Sequence, residues 1–175
     1  MRTDVVLTLT GPDRIGIVEE VTRALLESGG NVGTSRMARL GGEFAILMLV
    51  SLPAEMRADL DAAFAPLVAQ GYKVTVGECD PSPAAEHAGW LPYQVQVSGA
   101  DHEGIVHEVA AQLARLGINI ESAETCASEA PVSGSPLFTM TAQVAVPPSL
   151  AATDWIDALS AAGDDANVDV EVVAL

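Results

Sequence analysis

The feature that most constrains this chain is an internal repeat. The stretch from Gly11 to Asn31, GPDRIGIVEEVTRALLESGGN, returns in diverged form 88 residues later as GADHEGIVHEVAAQLARLGIN, from Gly99 to Asn119. Ten of the 21 aligned positions are identical, whereas composition alone predicts roughly one or two identities. Because a repeat of this kind sets the number of domains, the 175-residue chain is predicted to contain two domains of roughly 80 to 85 residues.

Each copy of the repeat predicts a strand, a short turn and a helix. In the first copy, apolar residues alternate with polar ones from Val5 to Leu9, which indicates a strand. Apolar residues at i, i+1, i+4 and i+8 then indicate an amphipathic helix over about residues 15–28. Gly29, and Gly117 in the second copy, can end the helix in the left-handed conformation. The junction over residues 11–16 is therefore a strand-to-helix turn.

Such a turn can receive an anionic group, because the first N–H groups of a helix lack partners within it and lie at its positive end. Gly16 lets a ligand approach the backbone closely, and Asn31 carries both a donor and an acceptor. A free amino acid, with its carboxylate and ammonium, fits these features. A purely structural interpretation also stands: Asp13 as a helix cap, Gly16 for helix packing, and Asn31 in a turn.

The rest of the chain completes the order βαββαβ twice. Residues 79–91, CDPSPAAEHAGWL, break every periodicity and are interpreted as a linker, which gives domains at 1–79 and 92–175 with the linker at 80–91. Pro66 is expected to kink or interrupt the second helix. The other predicted elements are strands at 31–40, 43–52 and 73–76 and a helix at 54–70, then strands at 93–97, from 120, at 138–146 and at 168–172, with helices from 105 and at 150–162.

The second copy has a longer connection between its hairpin strands, Ala127 to Pro136, with the sequence ASEAPVSGSP. Two prolines and a glycine are expected to exclude a regular ladder there. A loop of this length is either a functional lid or a tolerated insertion, and the sequence leaves both open.

The charge of the chain limits its partners. There are 24 Asp and Glu residues against eight Lys and Arg, for a net charge of −16, which argues against direct nucleic-acid binding. Residues 81–175 hold one of those cations and 13 of the acids, net −12, and this acidic surface either suits a basic protein partner or serves solubility. A cytoplasmic protein without membrane contact is expected. Cys79 and Cys126 fit neither a disulfide framework nor a metal motif.

The two βαββαβ units, each with a Gly-x-Asp-x-x-Gly turn and a helix that ends in Gly and Asn, resemble the ACT domain, a ferredoxin-like regulatory module. The resemblance covers nearly the whole chain and implies an α+β fold with antiparallel sheets and helices on one face. The segments GPDRIGIV, SRMARLGGEFAILMLVSLP and ETCASEAPVSGSPLFTMTAQVAVPPS are similar to the family branch of two-domain repressors of glycine cleavage.

The resemblance implies a regulator without catalytic activity and without a cofactor. It would bind a small amino acid, glycine being favoured, where the turn of one domain meets another domain, often in a dimer with one continuous sheet. Its partner would be a protein, in the repressor-type branch a DNA-binding transcriptional activator, with no direct contact to DNA. The implied ligand-binding residues are Asp13, Arg14, Gly16, Ile17 and Asn31 in the first copy and Asp101, His102, Gly104, Ile105 and Asn119 in the second.

The second copy departs from the first at two positions of the turn, where His102 replaces Arg14 and Ala100 replaces Pro12. A guanidinium that stays charged thereby becomes an imidazole that titrates near neutrality. The two sites are therefore not expected to be equally occupied.

Other classes of function fit the sequence less well. An RNA-recognition module needs exposed aromatics and a basic face, whereas this chain has few aromatics and a net charge of −16. A metal site built on His102 and His107 lacks the i, i+4 spacing that would place both on one face of a helix. No nucleophile, phosphate-loop or dinucleotide motif indicates an enzyme. Two alternatives within the resemblance stay open: a regulatory subunit of a separate amino-acid metabolic enzyme, or an ACT scaffold for protein-protein interaction that binds no ligand.

Overall fold

The computed structural model describes residues 1–80, 82–129, 135–150 and 152–175. The chain divides into two compact units, Met1–Pro81 and Ser82–Leu175, and one copy of the repeat lies in each. The first unit contains β1 (Arg2–Pro12), α1 (Ile17–Glu27), β2 (Asn31–Leu40), β3 (Glu43–Pro53), a 3-10 helix (Ala54–Asp59), α2 (Leu60–Ala69) and β4 (Lys73–Glu78). The second contains α3 (Ser82–Glu86), β5 (Leu91–Ala100), α4 (Ile105–Arg115), β6 (Asn119–Glu129), β7 (Pro136–Val146), α5 (Ala152–Asp165) and β8 (Val168–Ala174).

Each unit has one four-stranded antiparallel sheet, in the order β2-β3-β1-β4 in the first and β6-β7-β5-β8 in the second. The two orders correspond strand by strand, so the second unit repeats the topology of the first. This arrangement confirms the predicted α+β fold with two ferredoxin-like βαββαβ domains.

The core of each unit lies between the sheet and its helices. In the first unit, the alternating residues of β1 are fully buried and belong to the same cluster as the apolar stripe of α1. The equivalent cluster in the second unit includes Trp155 of α5, which packs edge-on against Tyr93 of β5. Each large apolar side chain buried in this way contributes about 1.5–3 kcal/mol, and the buried stripes fix which face of each helix packs on the sheet.

The prediction that Pro66 would kink or interrupt the second helix is wrong as to interruption. α2 continues through Pro66, and the irregular part is its beginning, where Ala54–Asp59 form a 3-10 helix. The carbonyl of Ala62 would accept the hydrogen bond that Pro66 cannot donate. Ala62 is exposed, as is Pro66, so water can satisfy this carbonyl. The helix therefore loses one hydrogen bond on its solvent side without breaking.

The predicted absence of a regular ladder between Ala127 and Pro136 is wrong at both ends of that segment. Ala127 pairs with Phe138, and Glu129 pairs with Pro136. Pro136 is tolerated because it is the first residue of its strand. Residues 130–134 lie outside the described part of the chain.

The segment predicted as a linker contains α3, a helix of five residues that the sequence pattern did not indicate. None of the described helices is long and apolar enough to cross a membrane.

Candidate ligand-binding site

The strand-to-helix turn has the same backbone geometry in both units. Gly16 and Gly104 are the N-cap residues of α1 and α4, and both are left-handed, with φ of 94° and 100°. A residue with a Cβ is strained in this conformation. A Cβ built on Gly16 meets only the Arg14 guanidinium, at 3.9 Å, and one built on Gly104 meets no atom within 4 Å, so the explanation of Gly16 by helix packing is wrong. The glycines shape the turn and leave open space in front of it.

The helix N-termini carry no side-chain cap. Neither α1 nor α4 has a side-chain hydrogen bond at its N-cap, and the Asp13 carboxylate instead pairs with Arg39 at 3.3 Å. The interpretation of Asp13 as a cap is therefore wrong. The backbone of this residue has another role, since its N–H donates to Gly42 O at 2.9 Å, as Asp101 N–H donates to Pro136 O at 3.0 Å. Both turns are thereby tied to the neighbouring hairpin.

Arg14 holds the first turn against α1. Its guanidinium donates two hydrogen bonds to the Glu20 carboxylate, at 3.0 and 2.8 Å, and a third to Gln70 Oε1 at 3.0 Å. This hydrogen bonding is the main reason that the pKa of Glu20 lies below the ordinary value of a glutamate and that the pKa of Arg14 lies above the ordinary value of an arginine. Three of the five guanidinium N–H groups are therefore paired within the protein, and two of these hydrogen bonds tie the turn to α1.

Sequence reasoning missed the residues that support Arg14. The guanidinium lies 5.6 Å from the centre of the Tyr72 ring, and the Tyr72 hydroxyl donates to Pro12 O at 2.7 Å. A Cβ on Gly11 would stand 2.4 Å from the same ring, so Gly11 admits the tyrosine. The available signal was Glu20, which is identical in both copies of the repeat although it lies outside the apolar face of its helix.

His102 occupies the place of Arg14 in the second unit but has different partners. Its Nδ1 lies 3.0 Å from Glu103 O and its Nε2 lies 2.6 Å from Ala166 O. Because both partners are acceptors, the doubly protonated ring satisfies both, and these hydrogen bonds raise the pKa of His102, with Glu103 O contributing most. His102 thus joins the second turn to the residue that follows α5.

The structure brings four of the predicted residues of the second site to one cavity. This cavity, of about 410 Å³, lies at the N-terminus of α4. The Asp101 carboxylate has no ion-pair partner among the described residues. An anionic oxygen and an uncapped helix N-terminus therefore border the same space. The lining residues are Asp101, His102, Gly104, Ile105, Val106, His107 and Phe138.

Ile17 and Ile105 are core residues, each only 2% exposed. Their side chains pack into the clusters of their own units. Any contact of these two residues with a ligand therefore involves the backbone.

Asn31 and Asn119 lie far from the turns of their own units. Asn31 begins β2 and pairs with Ser51 of β3, whereas the turn follows Pro12, which pairs with Glu43 of the same strand. Ser51 and Glu43 are eight positions apart on β3, which corresponds to about 27 Å of strand at ~3.4 Å per residue. Asn119 likewise begins β6, opposite Ala145. No unit by itself brings the predicted asparagine to its glycine turn.

Side chains that could ligate a metal ion are dispersed in the described ranges. Within them, no three His, Cys, Asp or Glu side chains lie close enough together to hold a metal ion. Both cysteines are free thiols, Cys79 half-buried and Cys126 exposed.

Comparison with known proteins places these features in a family. The family model of the ACT domain matches residues 3–71. The glycine cleavage system transcriptional repressor of Escherichia coli (strain K12) is 48% identical over 46 residues, which are 26% of this chain and 24% of that protein. The match thus spans about a quarter of the length of this curated relative.

Two solved structures resemble the whole chain. An unknown protein from Galdieria sulphuraria is 34% identical, with a TM-score of 0.84 over 100% of this chain and 99% of that one. A candidate glycine cleavage system transcriptional repressor shares the fold, with a TM-score of 0.70 at 22% identity over 100% of this chain and 98% of that one. Residues 3–71 therefore belong to the ACT-domain family, and the second unit repeats the βαββαβ fold of the first.

Proposed function

We propose that this chain is a non-catalytic cytoplasmic regulator that binds a small amino acid and passes the bound state to a protein partner. The observation that carries the proposal is the cavity at the N-terminus of α4, which is lined by Asp101 and by the first residues of a helix without a side-chain cap. A zwitterion matches this pair, because its carboxylate suits the helix N–H groups and its ammonium suits the aspartate.

The ligand in this proposal is small, and glycine is the favoured one. His102 and Arg14 act as positioning residues, since both ring nitrogens of His102 and three of the five N–H groups of Arg14 already have partners in the protein. Asn31 and Asn119 join a site only when a second ACT domain supplies them to a turn, because each lies at the far end of its own sheet. Ligand binding between two domains then shifts a conformational or oligomeric equilibrium through its different affinity for the two states.

The partner in this proposal is a transcription factor. The similarity to a repressor of glycine cleavage over 46 residues supports this choice, and the net charge of −16 agrees with a regulator that acts through protein and not through DNA. Co-purification with a transcription factor supports it. Co-purification with the catalytic chain of an enzyme would indicate a regulatory subunit instead.

The experiment that tests ligand binding is a thermal-shift screen against the twenty amino acids, followed by calorimetry on each hit. A ligand present at 100 times its Kd stabilises the native state by about 2.7 kcal/mol, which such a screen detects readily. Glycinamide lacks the carboxylate and N-acetylglycine lacks the ammonium, and we expect neither to bind. If no amino acid stabilises the folded protein, the proposed sensor is overturned in favour of a scaffold without ligand.

Asp101→Asn separates the two turns. The carboxylate of Asp101 borders the cavity, whereas that of Asp13 is paired with Arg39. We therefore expect Asp101→Asn to weaken binding at the second site more than Asp13→Asn weakens it at the first. If the wild type, Asn31→Ala and Asn119→Ala bind the amino acid with equal affinity, the two asparagines do not belong to the proposed site.

A further inference from the structure

A groove of the second unit lies between α4 and α5 and shares His102 and Gly104 with the cavity at the turn. It has a volume of about 680 Å³. Its lining includes three alanines of α5 and Ala166, which follows that helix, together with three carboxylates. The charged and titratable residues that line it are His102, Glu103, Glu108, Arg115 and Asp165.

The first unit fills the equivalent place with its own side chains. There Arg14 lies between Glu20 and Gln70 and donates hydrogen bonds to both. Glu108 is the repeat counterpart of Glu20. Ala166, which like Gln70 precedes a left-handed residue after the last helix of its unit, has no side chain that reaches across.

The second unit therefore keeps the carboxylate of this arrangement, and Arg115, the one arginine among the described residues that line the groove, forms no ion pair with it. His102, at the position of Arg14, is bound to two backbone carbonyls. Every ion pair among the described residues lies in the first unit, so the Glu108 carboxylate has no cation in contact. A carboxylate that holds a guanidinium in one copy thus stands beside an open groove in the other.

We propose that the α4–α5 groove binds an arginine side chain of a basic partner protein. The guanidinium of that arginine pairs with Glu108 in the same way as the Arg14 guanidinium pairs with Glu20 in the first unit. The proposal rests on the proposed function only in that it supposes a protein partner. A planar guanidinium pairs with a carboxylate through two hydrogen bonds. Glu103 and Asp165 also line the groove and outweigh the positive charge of Arg115 there. A second copy of this chain is a poor occupant, because the second unit carries a net charge of −12 and would repel it.

The test uses the full chain and blocked amino acids as probes. N-acetyl-L-arginine amide presents the guanidinium but neither a free carboxylate nor a free ammonium, so it does not compete for the proposed amino-acid site. Its citrulline analogue has nearly the same shape without the charge. In a titration followed by ¹H–¹⁵N NMR near neutral pH, we expect the arginine probe to shift resonances of α4 and α5 with millimolar affinity and the citrulline probe to shift none.

Variants assign the contact. Glu108→Gln removes the charge, and we expect it to weaken the probe by about threefold or more, the range of a partly exposed ion pair. Glu124→Gln is the matched control, because Glu124 lies on β6 and does not line the groove. The double substitution of His102→Arg and Ala166→Gln recreates the arrangement of the first unit, and we expect it to abolish binding by filling the groove.

Several results would overturn the proposal: no shift with folded protein, equal affinity in wild type and Glu108→Gln, or shifts confined to another surface. Free arginine that binds tenfold more tightly than the blocked probe would also overturn it, since the occupant would then be a metabolite. Failure of the amino-acid screen leaves these readouts unchanged, so the two proposals fail separately.

Discussion

The guanidinium of Arg14 and the carboxylate of Glu20 face each other in an ion pair of two hydrogen bonds that joins the turn before α1 to the helix itself. Their side chains are 34% and 30% exposed, so water screens the attraction in part. The pKa of Glu20 is lowered from 4.5 in the folded protein. The stabilisation is therefore present above about pH 4.5 and is lost as the pH falls through the lowered pKa.

Arg14→Met tests this pair. We expect the substitution to lower the Tm of the first unfolding transition by a few degrees at neutral pH, and we expect the difference from wild type to shrink well below pH 4, where Glu20 is neutral. Thermal unfolding of both proteins across this pH range gives the comparison. Glu20→Gln is the control, because its effect should not add to that of Arg14→Met. A difference that stays constant with pH would mean that Arg14 acts by packing alone.

His102 predicts a pH dependence of the opposite sign in the second unit. Its pKa is raised from 6.5 by hydrogen bonds to two carbonyls, so its contribution is complete below about pH 6.5 and is lost as the pH rises through the raised pKa. We expect the Tm difference between wild type and His102→Asn to be larger at about pH 6 than at about pH 8.5. His107→Asn, in the first turn of α4, shows how much of the trend is general. An equal difference at both pH values would contradict the role of the charged ring.

Gly16→Ala tests the left-handed turn. At a φ of 94° an added Cβ strains the backbone, and we expect a loss of about 1–2 kcal/mol in the free energy of unfolding. Gly77→Ala is the matched control, because Gly77 has no positive φ and nothing lies within 4 Å of its added Cβ. Urea denaturation measures both. Equal effects of the two substitutions would show that the conformation of Gly16 is not what requires glycine.

Tyr72→Phe removes the hydroxyl that donates to Pro12 O. Tyr72 is only 3% exposed, so the carbonyl loses a partner in a partly buried place, and we expect a cost of about 1 kcal/mol by urea denaturation. Tyr93→Phe is the control, since its hydroxyl has no hydrogen bond in the described ranges, and it should cost little. If Tyr72→Phe is as harmless as Tyr93→Phe, water replaces the hydroxyl at Pro12.

The sequence was enough to predict the chain order βαββαβ in each unit and the turns at Gly16 and Gly104, because these depend on local periodicity and local backbone preference. The 3-10 helix at Ala54–Asp59 was missed because its apolar spacing also suits an α-helix. The ladder around Glu129 was missed because proline content marks where pairing weakens and not the residue at which it stops.

The candidate site was predicted only in part. The turn residues are adjacent in sequence, but Gln70 and Tyr72 come to the first turn from 56 and 60 residues away, a distance over which no local pattern acts. The reverse error concerns Asn31, which follows α1 closely in sequence yet lies near the opposite end of the sheet, because α1 runs the length of the sheet in between.

The replacement of Arg14 by His102 has a consequence for the gene as well as for the site. In an assembly of identical single-domain chains, every turn must carry the same residue, and any change at one position alters all copies together. Here the two copies are covalently joined and mutate separately, so each molecule carries one permanently charged turn and one titrating turn in a fixed one-to-one ratio. Duplication within one reading frame thus lets the two turns change independently of each other.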